Sequence, residues 1–465
     1  MAFNLPRFIA IRTTTFPGHG HLYYNESGSS VSLGESSVFS TLVKIEVERA
    51  TSNANFVHLR FCHSNRYWSR RANSNVIIAE LNKPVEDTKD PSCTLFQPLQ
   101  VSGQPAGVFF FNHVPTGGRL WVDDMANWGV FVWENPPAWP GHLTFVDWST
   151  LVKLPGHVAF RGDNNRYLRG VSQDGLNYLQ FSSNDANELA SSHRVLLMSG
   201  GQLRITSDHW GGRFWRRSPN WIWADATDQS SLFSSDAQFW PVRVNNTTIG
   251  LRNEGNGQFC SRLTAQGKTS MLNAAVRTIT TEARLVVQEL VSQRNIYNVR
   301  YRMENARIFN EMPFLAGSSV VTNTTDQEAT SLVEITYQDE RSYSFSRSLS
   351  LTAGVETRIR TGVPFIVEGE ITMSFEINTT LQWDTATTTT RSVMGSGSVP
   401  VPARTTARID YVGTRGTCDI PFSYTQQDTN STNGQISHTD QIDGIYKGVS
   451  CYNFNFVIRS TQRLA

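Results

Sequence analysis

A short motif recurs through the first two thirds of the chain, and it restricts the fold more than any other feature. From Val158 the sequence reads VAFRGDNNRYLRG, from Leu203 LRITSDHWGGRFWRR, and from Ile249 IGLRNEGNGQFCSRL. Each copy has apolar residues at i and i+2, then a polar turn rich in Gly, Asn and Asp, then an apolar pair and an Arg. Residues i and i+2 of a strand face the same side, and Gly, Asn and Asp supply the positive φ that a tight reversal needs, so each copy predicts a β-hairpin. The anchors Phe160, Ile205 and Leu251 lie 45 and 46 residues apart. Three equal hairpin units in succession are the sequence mark of a β-trefoil.

The first third repeats the scheme less evenly. FIAIRTTT begins at Phe8, VHLRFCHSNRYWSRR at Val57 and VFFFNHVPTGGRLWV at Val108, with Ile11, Leu59 and Phe110 as the expected core anchors. The two thirds also match each other, since NRYWSRRANSNVIIAE (65–80) aligns with GRFWRRSPNWIWAD (212–225). From about Ser292 the repeat stops, and Ser, Thr and alternating apolar residues take over. SYSFSRSLSLT and EITMSFEI alternate with period two, and residues 378–390 hold seven Thr, which predicts long, half-exposed antiparallel strands. The expected architecture is all-β: trefoils over 1–153 and 154–291, then an elongated β-sheet domain over 292–465.

Within that last part, residues 351–377 form two arms of ten residues around TGVPFIV. Leu351, Ala353, Val355, Thr357 and Ile359 share one face of the first arm, and Glu356, Arg358 and Arg360 the other. In the second arm, Ile371, Met373, Phe375 and Ile377 oppose Glu368, Glu370 and Glu376. Arms of roughly ten residues with one apolar and one charged face suit a barrel that crosses a bilayer, with Val363, Pro364, Phe365 and Ile366 as an apolar tip. An ordinary two-stranded ribbon with one buried face alternates in the same way.

Charge and composition exclude several classes. Lys plus Arg number 41 against 40 Asp plus Glu, so bulk charge offers no attraction to nucleic acid or anionic lipid. No stretch approaches the roughly 18 apolar residues of a spanning helix. The N-terminus, with Arg7 in its apolar stretch, does not read as a secretory signal, so a cytoplasmic or nucleocytoplasmic protein is expected, with a target membrane met only on activation. The five cysteines suit free thiols, with Cys418 and Cys451 able to pair in an oxidising compartment. His19 and His21 lack a third ligand, and neither Asp123 and Asp124 nor Glu368 and Glu370 form a facing acid and base, so no enzyme, cofactor or metal site is expected.

The residues GRFWRRSPNWIWAD, NEGNGQFCSRL and GKTSMLNAAV resemble the agglutinin domain of amaranthin-type plant lectins, and the first third looks like a diverged copy. TGVPFIVEGEITMSFEI, TLQW, SVPVPARTTARI and CDIPFSYTQ resemble the aerolysin type of β-pore-forming module. The resemblance implies a plant defence lectin for galactose-containing glycans, which assembles into a homo-oligomeric ring and extrudes the hairpin at 351–377. Sugars are held by an aromatic platform and amide or carboxylate groups, which Trp221, Trp223, Asn220 and Asp225 would supply. The two tryptophans could equally be trefoil core. In the first domain Val76, Ile78 and Glu80 replace them and Asp225, leaving Asn75 as the retained candidate. The rival function is a multivalent lectin whose last domain only oligomerises it.

Overall fold

Each repeat of the sequence becomes four strands in the computed structural model, which describes residues 3–134, 141–347 and 355–464. In the second trefoil the first and fourth strands of the repeats are His157–Arg161, His193–Leu197, Leu203–Ser207, Phe239–Arg243, Thr248–Asn253 and Leu285–Glu289. Each pairs antiparallel with the next, and the last pairs with the first, so six strands close into a barrel with no free edge. The first trefoil closes in the same cyclic order through Phe8–Thr13, Ile45–Arg49, Val57–Phe61, Phe96–Gln100, Phe109–His113 and Leu143–Asp147.

The i, i+2 pairs of the motif point into these barrels. Val158 and Phe160, Leu203 and Ile205, and Ile249 and Leu251 are fully buried in one core, as are Ile9 and Ile11, Leu59, and Phe109 and Phe111 in the other. The expected anchor Phe110 is therefore off by one. In the run of four residues VFFF the pattern cannot fix the register, and the structure turns Phe110 outward beneath the Arg119 guanidinium, 3.9 Å from its ring centre. Trp68 and Trp215 occupy equivalent core positions, Trp215 ringed by Phe160, His193 and Phe239.

All six repeat turns contain a left-handed residue just before the second strand: Gly20, Asn65, Gly117, Asn165, Gly212 and Gly257. Only Gly escapes the Cβ penalty there, and Asn tolerates it best among the rest, which is the physical reason the motif is rich in both. The second and third strands of each repeat form hairpins that meet around the barrel's threefold axis. In the second trefoil Tyr178 pairs with Trp223, Trp221 with Asn273, and Met271 with Gln180. Tyr178, Trp221 and Met271 thereby hold equivalent positions and pack into one plug.

Between the trefoils a short 3-10 turn, Trp148–Thr150, is capped by the Asp147 carboxylate. Trp148 and Leu151 bury themselves with Ala10, Val38 and Val43, and Trp240 of the second trefoil packs on the same cluster. Residues up to Asn295, together with Gln427–Thr439, form one compact unit. Arg294 is nearly fully buried there, bonding Glu289 at 2.6 Å and Asp428 at 2.7 Å.

The second unit, residues 296–347, 357–426 and 440–464, takes all or most of each of the strands Val291–Tyr301, Arg307–Asn323, Ala329–Arg347, Thr357–Val367, Glu370–Leu381, Thr387–Val401, Thr405–Asn430 and Ile436–Arg463, the last 28 residues long. Ala329–Arg347 pairs with Thr387–Val401 without interruption from Ala329↔Val401 to Tyr343↔Thr387. The alternating Ser and Thr line their exposed faces, while Val333, Ile335, Val399 and Val401 bury against Ala407 and Ile409. Cys418 and Cys451 are free thiols.

Two predictions follow from the trefoil cores. At Asn165, with φ +60°, a β-branched residue meets the full left-handed penalty, so Asn165→Val is expected to cost about 1–2 kcal/mol and Asn165→Gly little, as read from denaturant midpoints. His21, His113 and His193 are buried, and burial holds each near pH 4, with Arg12 adding to the effect at His21 and Arg70 at His113. Because the unfolded chain protonates first, stability is full above about pH 6.5 and falls as pH drops toward about 4, each histidine contributing a loss of about 1 kcal/mol near pH 5.5. Denaturation series across that range should show the slope, and His193→Gln should flatten it.

Candidate functional sites: a glycan patch and a docked hairpin

The strand Trp221–Ala226 alternates between two surroundings. Ile222 and Ala224 enter the barrel core, so Trp221, Trp223 and Asp225 share the opposite face. That much matches the expectation, but the two tryptophans differ in role. Trp221 is only 6% exposed, part of the plug with Tyr178 and Met271, and its indole Nε1 donates to Gln266 at 3.1 Å. It is a packing residue of the hairpin triplet rather than an open platform. Trp223 is half-buried at the rim of the same cluster, edge-on to Tyr178 at 5.9 Å, with the Arg216 guanidinium 5.6 Å from its ring centre.

Asp225 is held in a two-point pair with Arg216, at 3.1 Å to Nε and 2.6 Å to Nη2. The carboxylate in turn raises the Arg216 guanidinium above its ordinary value. Cross-strand register explains the contact, because Arg216 lies directly opposite Trp223. The result is one half-exposed indole flanked by a fixed ion pair.

Asn220 falls in a different place, at the Pro219–Asn220 turn of the hairpin. There its side-chain oxygen accepts from Arg217 and from Asn256, both at 3.4 Å. Arg217 also donates to Asp236 at 2.9 Å and Asn253 at 3.1 Å, so Asn220, Arg217, Asp236, Asn253 and Asn256 form a polar cluster at the surface. The sequence reading missed Arg217, Asp236, Asn253 and Asn256. They lie up to 36 residues from Asn220 on a turn, a strand end and a loop, and only closure of the barrel assembles them.

In the first trefoil Asn75 is exposed, and its carbonyl accepts from Val132 at 2.7 Å. The Asn220 carbonyl accepts from Ala274 at the same distance, which marks the two asparagines as equivalent backbone turn positions. Val76 and Ile78 stand where Trp221 and Trp223 stand in the second trefoil, so that strand brings no indole of its own. Of the two motif histidines, His19 is exposed but His21 is fully buried at a strand start.

The second candidate site is the hairpin Thr357–Val367 and Glu370–Leu381. Residues 351–354 of the predicted first arm lie outside the described residues. The remainder departs from the expectation at the turn, which sits at Glu368–Gly369, both with positive φ (52° and 83°), as a two-residue reversal requires. Gly362 and Pro364 instead lie within the strand, beside a bulge where the register shifts between Val363 and Pro364; a bulge accommodates a residue lacking an N–H.

The expected apolar tip is consequently not a loop but part of a paired strand. Val363, Phe365 and Ile366 are at most 1% exposed and Pro364 is buried, packed with Tyr343, Phe345, Phe422 and Tyr446. Phenol hydroxyls pin the strand backbone: Tyr301 donates to the Gly362 carbonyl at 2.7 Å, and Tyr446 to that of Pro364. Glu356, Arg358, Arg360, Glu368, Glu370 and Glu376 are all exposed, while Ile371, Phe375, Ile377 and Leu381 are half-buried on the docked face. The two-faced character of the arms is thus present, except that Met373, expected on the apolar face, is 53% exposed.

Comparison with known proteins follows this division. Residues 152–291 match the Agglutinin domain family, and residues 287–426 match the Clostridium epsilon toxin ETX/Bacillus mosquitocidal toxin MTX2 family. Among curated relatives, Natterin-1 of Thalassophryne nattereri is 25% identical over 141 residues, and Natterin-2 of the same species 26%. These alignments take in 30% of this chain and 40% and 38% of the relatives, so the chain spans well under half of their length. Among solved structures, the lamprey immune protein gives a TM-score of 0.32 at 14% identity, covering 67% of this chain and 91% of its own. The hemolytic lectin CEL-III gives 0.31 at 10% identity, covering 96% and 93%. The chain therefore carries, in one polypeptide, a segment that matches the Agglutinin domain family and a segment that matches the ETX/MTX2 family.

Proposed function

We propose that the protein is a non-enzymatic lectin that binds galactose- or GalNAc-type glycans through its second trefoil and then forms membrane pores as a homo-oligomer, in a defensive role of the kind the amaranthin resemblance implies. The observation that carries the pore reading is the hairpin. Two arms of 11 and 12 residues keep charged residues outward, while Val363, Phe365 and Ile366 of the first arm sit in an aromatic-rich core and Ile371, Phe375 and Ile377 of the second pack against it. Strands of that length match the roughly 9 to 11 residues that span a bilayer when tilted. Inserted, the same apolar face would meet lipid, and Glu356, Arg358, Arg360, Glu368, Glu370 and Glu376 would line water.

Glycan binding rests on Trp223, whose half-exposed indole can cover the apolar face of a pyranose while Asp225 and Arg216 meet its hydroxyls. The Asn220 cluster provides a neighbouring set of amide groups. An oligomer would gain avidity from many such weak sites, which a lectin that only agglutinates would also enjoy.

Three outcomes are expected. Trp223→Ala abolishes agglutination with the fold intact, whereas Trp221→Ala lowers stability by about 3–5 kcal/mol, because it removes the plug of the hairpin triplet. Dye release from glycan-bearing liposomes is lost in Ile377→Asp while agglutination persists; agglutination by the wild type with no release under any activating condition would leave only the oligomerising reading. Replacing Glu368, Glu370 and Glu376 by Gln turns a weak cation preference of the pore toward anions in single-channel recordings.

A further inference from the structure

We infer a second saccharide site, separate from Trp223, in the groove between the two trefoils, and the geometry points to a sugar bearing an anionic group. The groove has a volume of about 640 Å³. One wall comes from Arg12, Pro17–Gly20, Leu33, Gly34, Ser36 and Trp128 of the first trefoil, the other from Met198–Gly200, Gln202 and Gln238 of the second. Its walls are fixed relative to each other by the shared apolar cluster of Trp148, Leu151, Val38 and Trp240, and by a bond from the Val38 N–H to the Ser199 carbonyl at 2.9 Å.

Three features give the groove a chemistry. Trp128 holds φ +60°, after Asn127 at +51°, a backbone state costly for an aromatic residue and of the kind that collects at functional sites. That backbone places its ring against His19, whose imidazole stacks on it with centroids 4.2 Å apart and planes 26° apart, while Phe16 abuts it edge-on. The His19 and Trp128 pair is a ready surface for the apolar face of a pyranose.

The second feature is Arg12. Its Nε donates to His21 Nε2 at 2.8 Å, and the other nitrogen of His21 donates to the Glu35 carbonyl at 3.1 Å. Both His21 nitrogens are thereby assigned in its neutral form, and burial keeps the ring neutral to about pH 4. A neutral imidazole orients Arg12 without discharging it. No acidic residue lines the groove, and Arg12 forms no ion pair among the described residues, so its two Nη atoms are left for an incoming anion. Thirdly, Ser36, Ser199, Gln202 and Gln238 supply hydroxyl and amide groups from both sides, suited to the sugar hydroxyls around the anionic group. A charged saccharide satisfies the half-buried guanidinium, whereas a neutral one would leave it unpaired.

The test titrates the full-length protein with lactose, sialyl-lactose and sulfated lactose by calorimetry. Sialyl-lactose or sulfated lactose should bind more tightly than lactose, and the arm that wins identifies carboxylate or sulfate as the anion. Arg12→Gln should weaken that anionic ligand by about tenfold and leave lactose unchanged. Gln202→Leu, on the opposite wall, should weaken it severalfold, and it carries the test if Arg12→Gln fails to fold. Trp223→Ala should remove lactose binding and spare the anionic ligand, which separates this site from the one proposed above. Equal affinity for the neutral and both charged sugars, or a charged-sugar preference that survives both groove variants, would overturn the assignment.

Discussion

Everything in the first two thirds of the chain depends on the fact that a single hairpin repeat cannot bury its own apolar pair. Val158 and Phe160 become core only when the strands of the other two repeats close around them. Closure also leaves the six barrel strands without a free edge, which takes all three repeats. The same closure builds the surfaces. The turn at Pro219–Asn220 meets Asn256 and Asp236 because the barrel brings three repeats to one axis, and the plug of Tyr178, Trp221 and Met271 forms on that axis. Once the closure is satisfied, Trp223, at the rim of the plug, is the ring of that strand left partly open.

The last third is governed by the opposite condition. Its hairpin turns apolar residues toward Tyr343, Phe345, Phe422 and Tyr446, with which they share one core. The hold combines apolar contact, the backbone pairing of Thr357–Val367 with Val291–Tyr301, and the phenol bonds from Tyr301 and Tyr446 to strand carbonyls. Together these contacts keep Val363 and Phe365 dry. The trefoils and the last third thus use one kind of alternating strand in two ways, one closed into a barrel and one laid into an extended sheet.

Much was legible from the sequence. The period of the repeat located all six barrel hairpins, and the six left-handed turn residues are Gly or Asn for the reason the motif suggested. The alternation of the arms gave their two faces, since Arg358 and Arg360 are exposed beside buried Thr357 and Ile359. Failures arose where local chemistry was ambiguous. The four-residue apolar run at Val108–Phe111 does not distinguish Phe110 from its neighbours, and Gly362 with Pro364 looks like a turn although Glu368–Gly369 makes it.

By itself, then, the sequence determined what depends on periodicity: the trefoil repeats, the change of architecture near Ser292, and which residues of each strand share a face. Strand geometry obliges those patterns, because side chains alternate whatever the partner. The tertiary structure alone decided which of two tryptophans on one face is a plug and which is a rim, that the Val363–Ile366 segment is covered, and that Arg12, His19 and Trp128 share a groove with Gln202 and Gln238. These outcomes turn on contacts between residues up to about 230 positions apart, and no local pattern encodes them.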